Sequence, residues 1–171
     1  YKSAMTKEGD TVLGEVVYYI LQPQVSFVLM DQHTGYVKAV NGGRGTKEIS
    51  LSLNRATNTL RQPGSTFKVL TAFAPALDTC GATLSTVYYD APYTVGQKTF
   101  RNWYAKKGYM GYSTIRDGIV YSMNIVAVRC MMETVTPQLG VEYARNFGIT
   151  SLTETDYNAA TALGGITKGV S

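Results

Sequence analysis

Histidine occurs once and cysteine twice in the 171 residues, and those two scarcities exclude most metal chemistry. A structural zinc site takes four Cys or His ligands in close pairs. Cys80 and Cys130 stand far apart, and His33 sits alone in "DQHTGY", a hairpin-tip pattern. A Ser-His-Asp scheme is equally weak, because its histidine must be held in a pocket. No apolar run reaches the ~18 residues a membrane-spanning helix needs, and "VLGEVVYYIL" is broken by Glu15. Charge is also sparse. The net +4 is scattered with no basic run, which suits an anionic surface such as a cell wall and gives no footprint for nucleic acid.

What is present is a globular composition, 44% hydrophobic and 16% charged, long enough for one domain with a core. Residues 1–22 show no clean period and read as a linker or the tail of a preceding module. "QVSFVLMD" (24–31) and "YVKAV" (36–40) flank a Thr-Gly turn and predict a β-hairpin. The loop 41–63 follows, and its "NGGRG" lacks phosphate-loop spacing and reads as a turn. From Gly64 a helical period places Phe67, Leu70, Ala74 and Leu77 on one face, with Pro75 expected to kink or end it. Residues 80–112 read as irregular. "STIRDGIVYS" predicts a short helix capped by Ser113 or Thr114. "NIVAVRCMMETV" predicts a buried helix, with Cys130 inside as a small apolar residue. "TPQLGVEYARNFG" predicts a fourth helical segment, with Thr136 as cap and Leu139, Tyr143 and Phe147 as its inner stripe.

Chemistry gathers at "RQPGSTFKVL". After a Pro-Gly break, Ser65 stands at a helix N-terminus, where free amides favour negative charge, and Lys68 shares its face. Two readings stay open from these residues alone. Ser65 is a nucleophile with Lys68 as its base, which requires burial to lower the lysine pKa. Alternatively the pair is a helix cap followed by a solvated lysine. "YSMN" adds Ser122 and Asn124, a hydroxyl and an amide between two apolar helical segments. The similar "SLN" at 52–54 lies in a polar loop and is set aside.

"RQPGSTFK", then "RNWYAKKGYMGYSTIRDGIVYSMNIVAVR", then "EYARNFGIT…ALGG" occur in an order that resembles the transpeptidase domain of penicillin-binding proteins of the bifunctional class A type. "VSFVLMDQHTGYVKAVNGG" and "NRATNTLRQPGSTFK" resemble that family's approach to its nucleophile, so the likeness runs from residue 24 to 171. It implies an α+β fold: an incomplete serine-transpeptidase, β-lactamase-like domain over 23–171, with an N-terminal β-hairpin of the central antiparallel sheet, a mainly helical lobe, and the C-terminal strands absent. By the same likeness Ser65 is the acylated nucleophile and Lys68 its proton acceptor. Ser122 relays a proton to the leaving amine, and Asn124 holds Lys68 and the substrate amide. The reaction implied is acyl transfer on D-Ala-D-Ala stem peptides of peptidoglycan, at the outer face of a bacterial membrane, with β-lactams acylating the same serine and no cofactor required.

One departure stands out. The family's Lys-Thr/Ser-Gly triplet does not occur, and Thr167-Lys168-Gly169 has the wrong order. The chain is therefore expected to stop before the remaining strands, to acylate poorly, and to leave strand edges open for self-association or for pairing with the missing part. Two rivals stand beside this reading. One is a non-catalytic wall-binding piece that stacks sugars on Tyr18, Tyr19, Tyr88, Tyr89, Tyr109 and Tyr112. The other is a β-lactamase or β-lactam sensor.

Overall fold

The computed structural model describes residues 2–8, 11–18, 23–46 and 50–171. Two compact units divide the chain near residue 60. In the first, β1 (Lys2–Glu8) pairs antiparallel with β2 (Thr11–Tyr18), where the sequence shows no clean period and reads as a linker or tail. The predicted hairpin follows as β3 (Phe27–Met30) and β4 (Val37–Asn41). Its turn is set by Gly35 at φ 71° and closed by the amide of Asp31 on the carbonyl of Tyr36 at 2.9 Å. His33 is an exposed turn residue whose amide donates to the Asp31 carboxylate at 3.0 Å. Among the described residues β3 and β4 form a two-stranded sheet, and every residue in both strands is exposed. Such a ribbon buries too little to be stable alone.

The second unit holds the helical core. Helical backbone runs continuously through 64–78: a 3-10 turn at Gly64–Thr66, a widened π segment at Val69–Phe73, and helix α1 (Ala74–Asp78). Pro75 does not end this helix. A proline ring clashes with the carbonyl four residues back, here Thr71, and the π turn just ahead of Pro75 takes up that misfit. The extra residue rotates the buried face. Phe67, Lys68, Thr71, Ala72, Pro75 and Ala76 point inward, whereas Leu77 of the expected stripe is exposed.

Residues 80–112, expected to be irregular, contain four short strands. β5 (Val87–Asp90) pairs with β8 (Gly111–Thr114), and β6 (Tyr93–Val95) pairs with β7 (Lys98–Phe100) around Gly96 at φ 59°. Runs of three or four residues are too short to show a period. Helix α2 (Ile115–Val120) starts at Thr114, whose hydroxyl accepts from the Asp117 amide at 3.1 Å while Asp117 accepts from the Thr114 amide at 2.9 Å. This is a reciprocal capping box. α3 (Asn124–Arg129) continues as a π segment, Cys130–Val135, and Ile125, Val126, Ala127 and Val128 are fully buried. Both cysteines are free, and burial raises the Cys130 thiol to about 11.

α4 (Pro137–Asn146) is capped by Thr136, whose hydroxyl accepts from the Leu139 amide at 3.3 Å. Its inner face is one residue off the expected stripe: Gly140, Val141 and Ala144 are buried, and Phe147 is 56% exposed. Size decides this. A Cβ on Gly140 would collide with the Thr71 carbonyl oxygen and lie 2.8 Å from Cε of Met131, so only glycine lets the two helices meet. Gly140→Ala should therefore destabilise the protein by about 1–3 kcal/mol or more. Phe147→Ser should change stability by no more than about 0.5 kcal/mol. Urea unfolding of the two variants checks the assignment, and equal losses would contradict it.

Candidate functional site

The site is organised around a buried cation. Lys68 is 2% exposed, and all three protons of its ammonium have an acceptor. Nζ donates to the Ser122 carbonyl at 2.7 Å, to Ser122 Oγ at 3.0 Å and to Asn124 Oδ1 at 2.7 Å. Removal from water disfavours the charged form and brings the pKa down to about 8. The solvated-lysine alternative is thereby excluded. Lys68, Ser122 and Asn124 come together as one cluster, while Ser65 lies in the 3-10 turn immediately before it, exposed to solvent. Among the described residues the Ser65 hydroxyl has no hydrogen-bond partner within the protein.

Each acceptor is aimed by its own local structure. Ser122 has φ 49°, a left-handed conformation that a non-glycine residue adopts only when its surroundings impose it. The turn is fixed by the Met123 amide on the Gly118 carbonyl at 2.9 Å, and it presents both the carbonyl and the hydroxyl of Ser122 to Lys68. Asn124 opens α3, and its Nδ2 donates to the Arg101 carbonyl at 2.9 Å. With the amide nitrogen so engaged, Oδ1 must face the lysine.

Several contributors had no chemical signature in the sequence. Gln62, three residues before Ser65, receives the Ile166 amide on Oε1 at 3.0 Å and donates to the Ile166 carbonyl. Arg61 and Val170 form an antiparallel bridge, with 2.8 Å bonds in both directions. Gly164 (φ 75°) would place a Cβ 2.6 Å from the backbone nitrogen of Gly64, so the glycine of "ALGG" lets this segment lie against the turn that carries Ser65. Asp156 fixes the same segment from behind, accepting from the Thr167 amide and hydroxyl, both at 2.8 Å, and from the Thr153 amide at 2.7 Å. Burial works to raise the Asp156 pKa, but these donors outweigh it and hold it below the usual carboxylate value. The amide and hydroxyl of Thr167 are thus engaged in holding this segment. Of the candidate sugar-stacking residues, Tyr88 is buried with its hydroxyl on Thr134. Tyr89 and Tyr112 are exposed but meet edge to face at 5.1 Å, which offers no flat platform.

The class of the protein is a transpeptidase domain. The profile of the penicillin binding protein transpeptidase domain matches residues 25–167, and the chain belongs to that family. More particularly, it is 40% identical over 137 residues to penicillin-binding protein 1A of Clostridium tetani, covering 77% of this chain and 17% of that protein. The protein of the same name from Clostridium novyi is 38% identical over 160 residues, covering 88% and 18%. Among solved structures, penicillin-binding protein 1A from Haemophilus influenzae superposes with a TM-score of 0.70 at 30% identity, over 85% of this chain and 21% of that one. The PonA1 protein from Mycobacterium tuberculosis in complex with penicillin V gives 0.71 at 25% identity, over 84% and 39%. The chain spans about a fifth of the length of the curated relatives it matches.

A buried lysine titrating near 8 in the folded state and near 10.5 when free makes stability depend on pH in a stated direction. Below about 8 the folded protein carries the full cost of a desolvated ammonium. Between the two values the unfolded chain binds a proton that the folded chain does not, so stability rises with pH. Relative to Lys68→Met, the native protein should gain on the order of 2 kcal/mol between pH 7 and pH 10. Paired urea titrations check this, and parallel curves for the two proteins would contradict it.

Proposed function

We propose that this chain carries the acylation site of a penicillin-binding D,D-transpeptidase, with Ser65 as nucleophile and Lys68 as its base. The observation that supports it most is the buried lysine. Lys68 sits one helical turn after an exposed serine, holds a pKa of about 8, and is tied to Ser122 and Asn124. A base is most effective when its pKa lies near working pH, and roughly a tenth of such a lysine is neutral at pH 7.

In the proposed reaction neutral Lys68 takes the Ser65 proton as Oγ attacks the penultimate D-alanine carbonyl of a stem peptide. The C–N bond to the terminal D-alanine then breaks, and that amine leaves with a proton delivered from Lys68 through Ser122. The 3.0 Å contact between Nζ and Ser122 Oγ joins two groups that can each donate or accept, as a relay requires. An amine of a neighbouring stem peptide next attacks the acyl-serine and restores the enzyme. β-Lactams follow the first half, with the ring amide opened by Ser65. Asn124 holds the lysine and presents an amide edge to the substrate. By likeness to its relatives the reading places this chemistry at the outer face of the bacterial membrane. Among the described residues no helix is long and apolar enough to cross a bilayer. Among the described residues β3 and β4 pair only with each other, and their outer edges are assigned to pairing with further strands, from a second copy or another polypeptide, because unpaired strand edges recruit partners.

No Lys-Thr-Gly or Lys-Ser-Gly triplet occurs in the 171 residues. A strand carrying that triplet would supply a second oxyanion donor, and losing one donor costs about 10²–10³ in rate. Fluorescent penicillin should therefore label this chain slowly and stoichiometrically, at Ser65 alone by peptide mass. The labelling rate should climb as pH rises through about 8, because the neutral amine is the active form, and Ser65→Ala should abolish it. Label retained by Ser65→Ala, or a rate indifferent to pH between 6 and 9, would overturn the assignment.

A further inference from the structure

Asp90, at the end of β5, is 1% exposed, and among the described residues no cation pairs with it. A buried carboxylate without a paired cation is costly unless it is well hydrogen-bonded, and here three donors reach its two oxygens. Oδ1 accepts from Asn102 Nδ2 at 2.5 Å, and Oδ2 accepts from the Tyr104 hydroxyl at 3.0 Å and the Met110 amide at 2.9 Å. Burial and the Asp90 carboxylate raise the Tyr104 pKa, so that hydroxyl keeps its proton and stays a donor.

The consequence passes through Asn102, itself 5% exposed. Its Nδ2 is committed to Asp90 and lies 3.0 Å from the Tyr104 hydroxyl, which forces Oδ1 the other way, onto the Ile125 amide at 3.1 Å. Ile125 is the second residue of α3, and its amide is one of the donors a helix start leaves unpaired. Asn102 therefore caps α3 from a separate segment, next to the residue that touches Lys68. Two further bonds join the same segments: Asn124 Nδ2 to the Arg101 carbonyl at 2.9 Å, and Trp103 Nε1 to the Tyr121 carbonyl at 3.1 Å.

We propose that Asp90 is a positioning residue for the reaction. By fixing the orientation of the Asn102 amide it clamps the start of α3, and so holds Asn124 against Lys68. This rests on the acyl-transfer reading above, and one of its two readouts does not depend on that reading.

The test uses Asp90→Asn, Asn102→Asp and the double swap. In Asp90→Asn the side-chain oxygen is expected to stay on the Met110 amide and the Tyr104 hydroxyl, which sets the new amide donor against Nδ2 of Asn102, so Asn102 turns over and presents Nδ2 to the Ile125 amide. Asn102→Asp puts two carboxylates together. In the swap, the side-chain amide introduced at position 90 donates to the carboxylate introduced at position 102, whose second oxygen again receives the Ile125 amide. Amide hydrogen exchange at Ile125 should accelerate by about tenfold or more in Asp90→Asn, consistent with one lost buried hydrogen bond, and return to the native rate in the swap. Acylation by penicillin should slow by about ten- to a hundredfold in each single variant, as small misplacements in a site do, and recover to within about threefold in the swap. In an Asn124→Ala background Asp90→Asn should slow acylation less than about threefold, because the residue it positions is gone. Loss of stability alone would persist in that background. Native exchange at Ile125 in Asp90→Asn, a swap that stays slow in either readout, or the full acylation loss persisting without Asn124 would each overturn the proposal. If the native chain is not acylated at Ser65, the acyl-transfer reading fails, and exchange at Ile125 still decides whether the clamp exists.

Discussion

A lysine ammonium shut away from water sets the terms for the helical unit. At 2% exposure the charge is tolerable only with an acceptor for each proton, and the chain spends three unusual arrangements on supplying them. Ser122 takes a left-handed backbone. Asn124 is turned by its bond to the Arg101 carbonyl. The helix that begins at Asn124 is capped from outside by Asn102. The Ser122 backbone is a costly local choice, and Ser122 and Asn124 both bond Nζ of Lys68. Residual desolvation still lowers the pKa to about 8. A value near working pH is the one a general base needs.

The turn that carries Ser65 is held just as deliberately, by backbone rather than charge. Residues 164–170 return to lie along 61–64 through the Gln62 side chain, the Arg61–Val170 bridge and two glycines that allow near-contact of main chains. Gly169, at φ 87°, would place a Cβ 2.6 Å from the Arg61 carbonyl. Asp156 locks the far side of that segment. Ser65, exposed to solvent on one face, thus sits on a turn that is packed and hydrogen-bonded on the other, the kind of support a precisely placed hydroxyl needs.

Features fixed by local chemistry are the ones legible in the amino-acid sequence. The helix start at Thr114, one of the two caps the sequence offers, the all-apolar run at the start of α3 and the Thr-Gly hairpin fall where the residues place them, and the fold brings Lys68, Ser122 and Asn124 together. What escapes is set by long-range packing. Helix faces mislead wherever small or polar residues are innermost: Gly140 and Ala144 carry the α4 contact while bulky Phe147 is exposed. Lys68 itself belongs to the inner face of its helix, and the π segment ahead of Pro75 shifts the register that a 3.6-residue period assumes. The strands between 87 and 114 are too short to show alternation. Asp90 and Asn102 look like ordinary turn residues until the fold brings them together.

The central claim is that folding turns Lys68 into a base, and its own titration tests that most directly. Carbon-13 NMR of the lysine side chains across pH 6–12, with Lys68 assigned by comparison with Lys68→Met, reads the midpoint for that one residue. The account predicts a midpoint near 8, well below those of the solvent-exposed lysines. A midpoint near 10.5, the value of a free lysine, would mean that the ammonium is solvated, and a site built on a buried Lys68 would not exist.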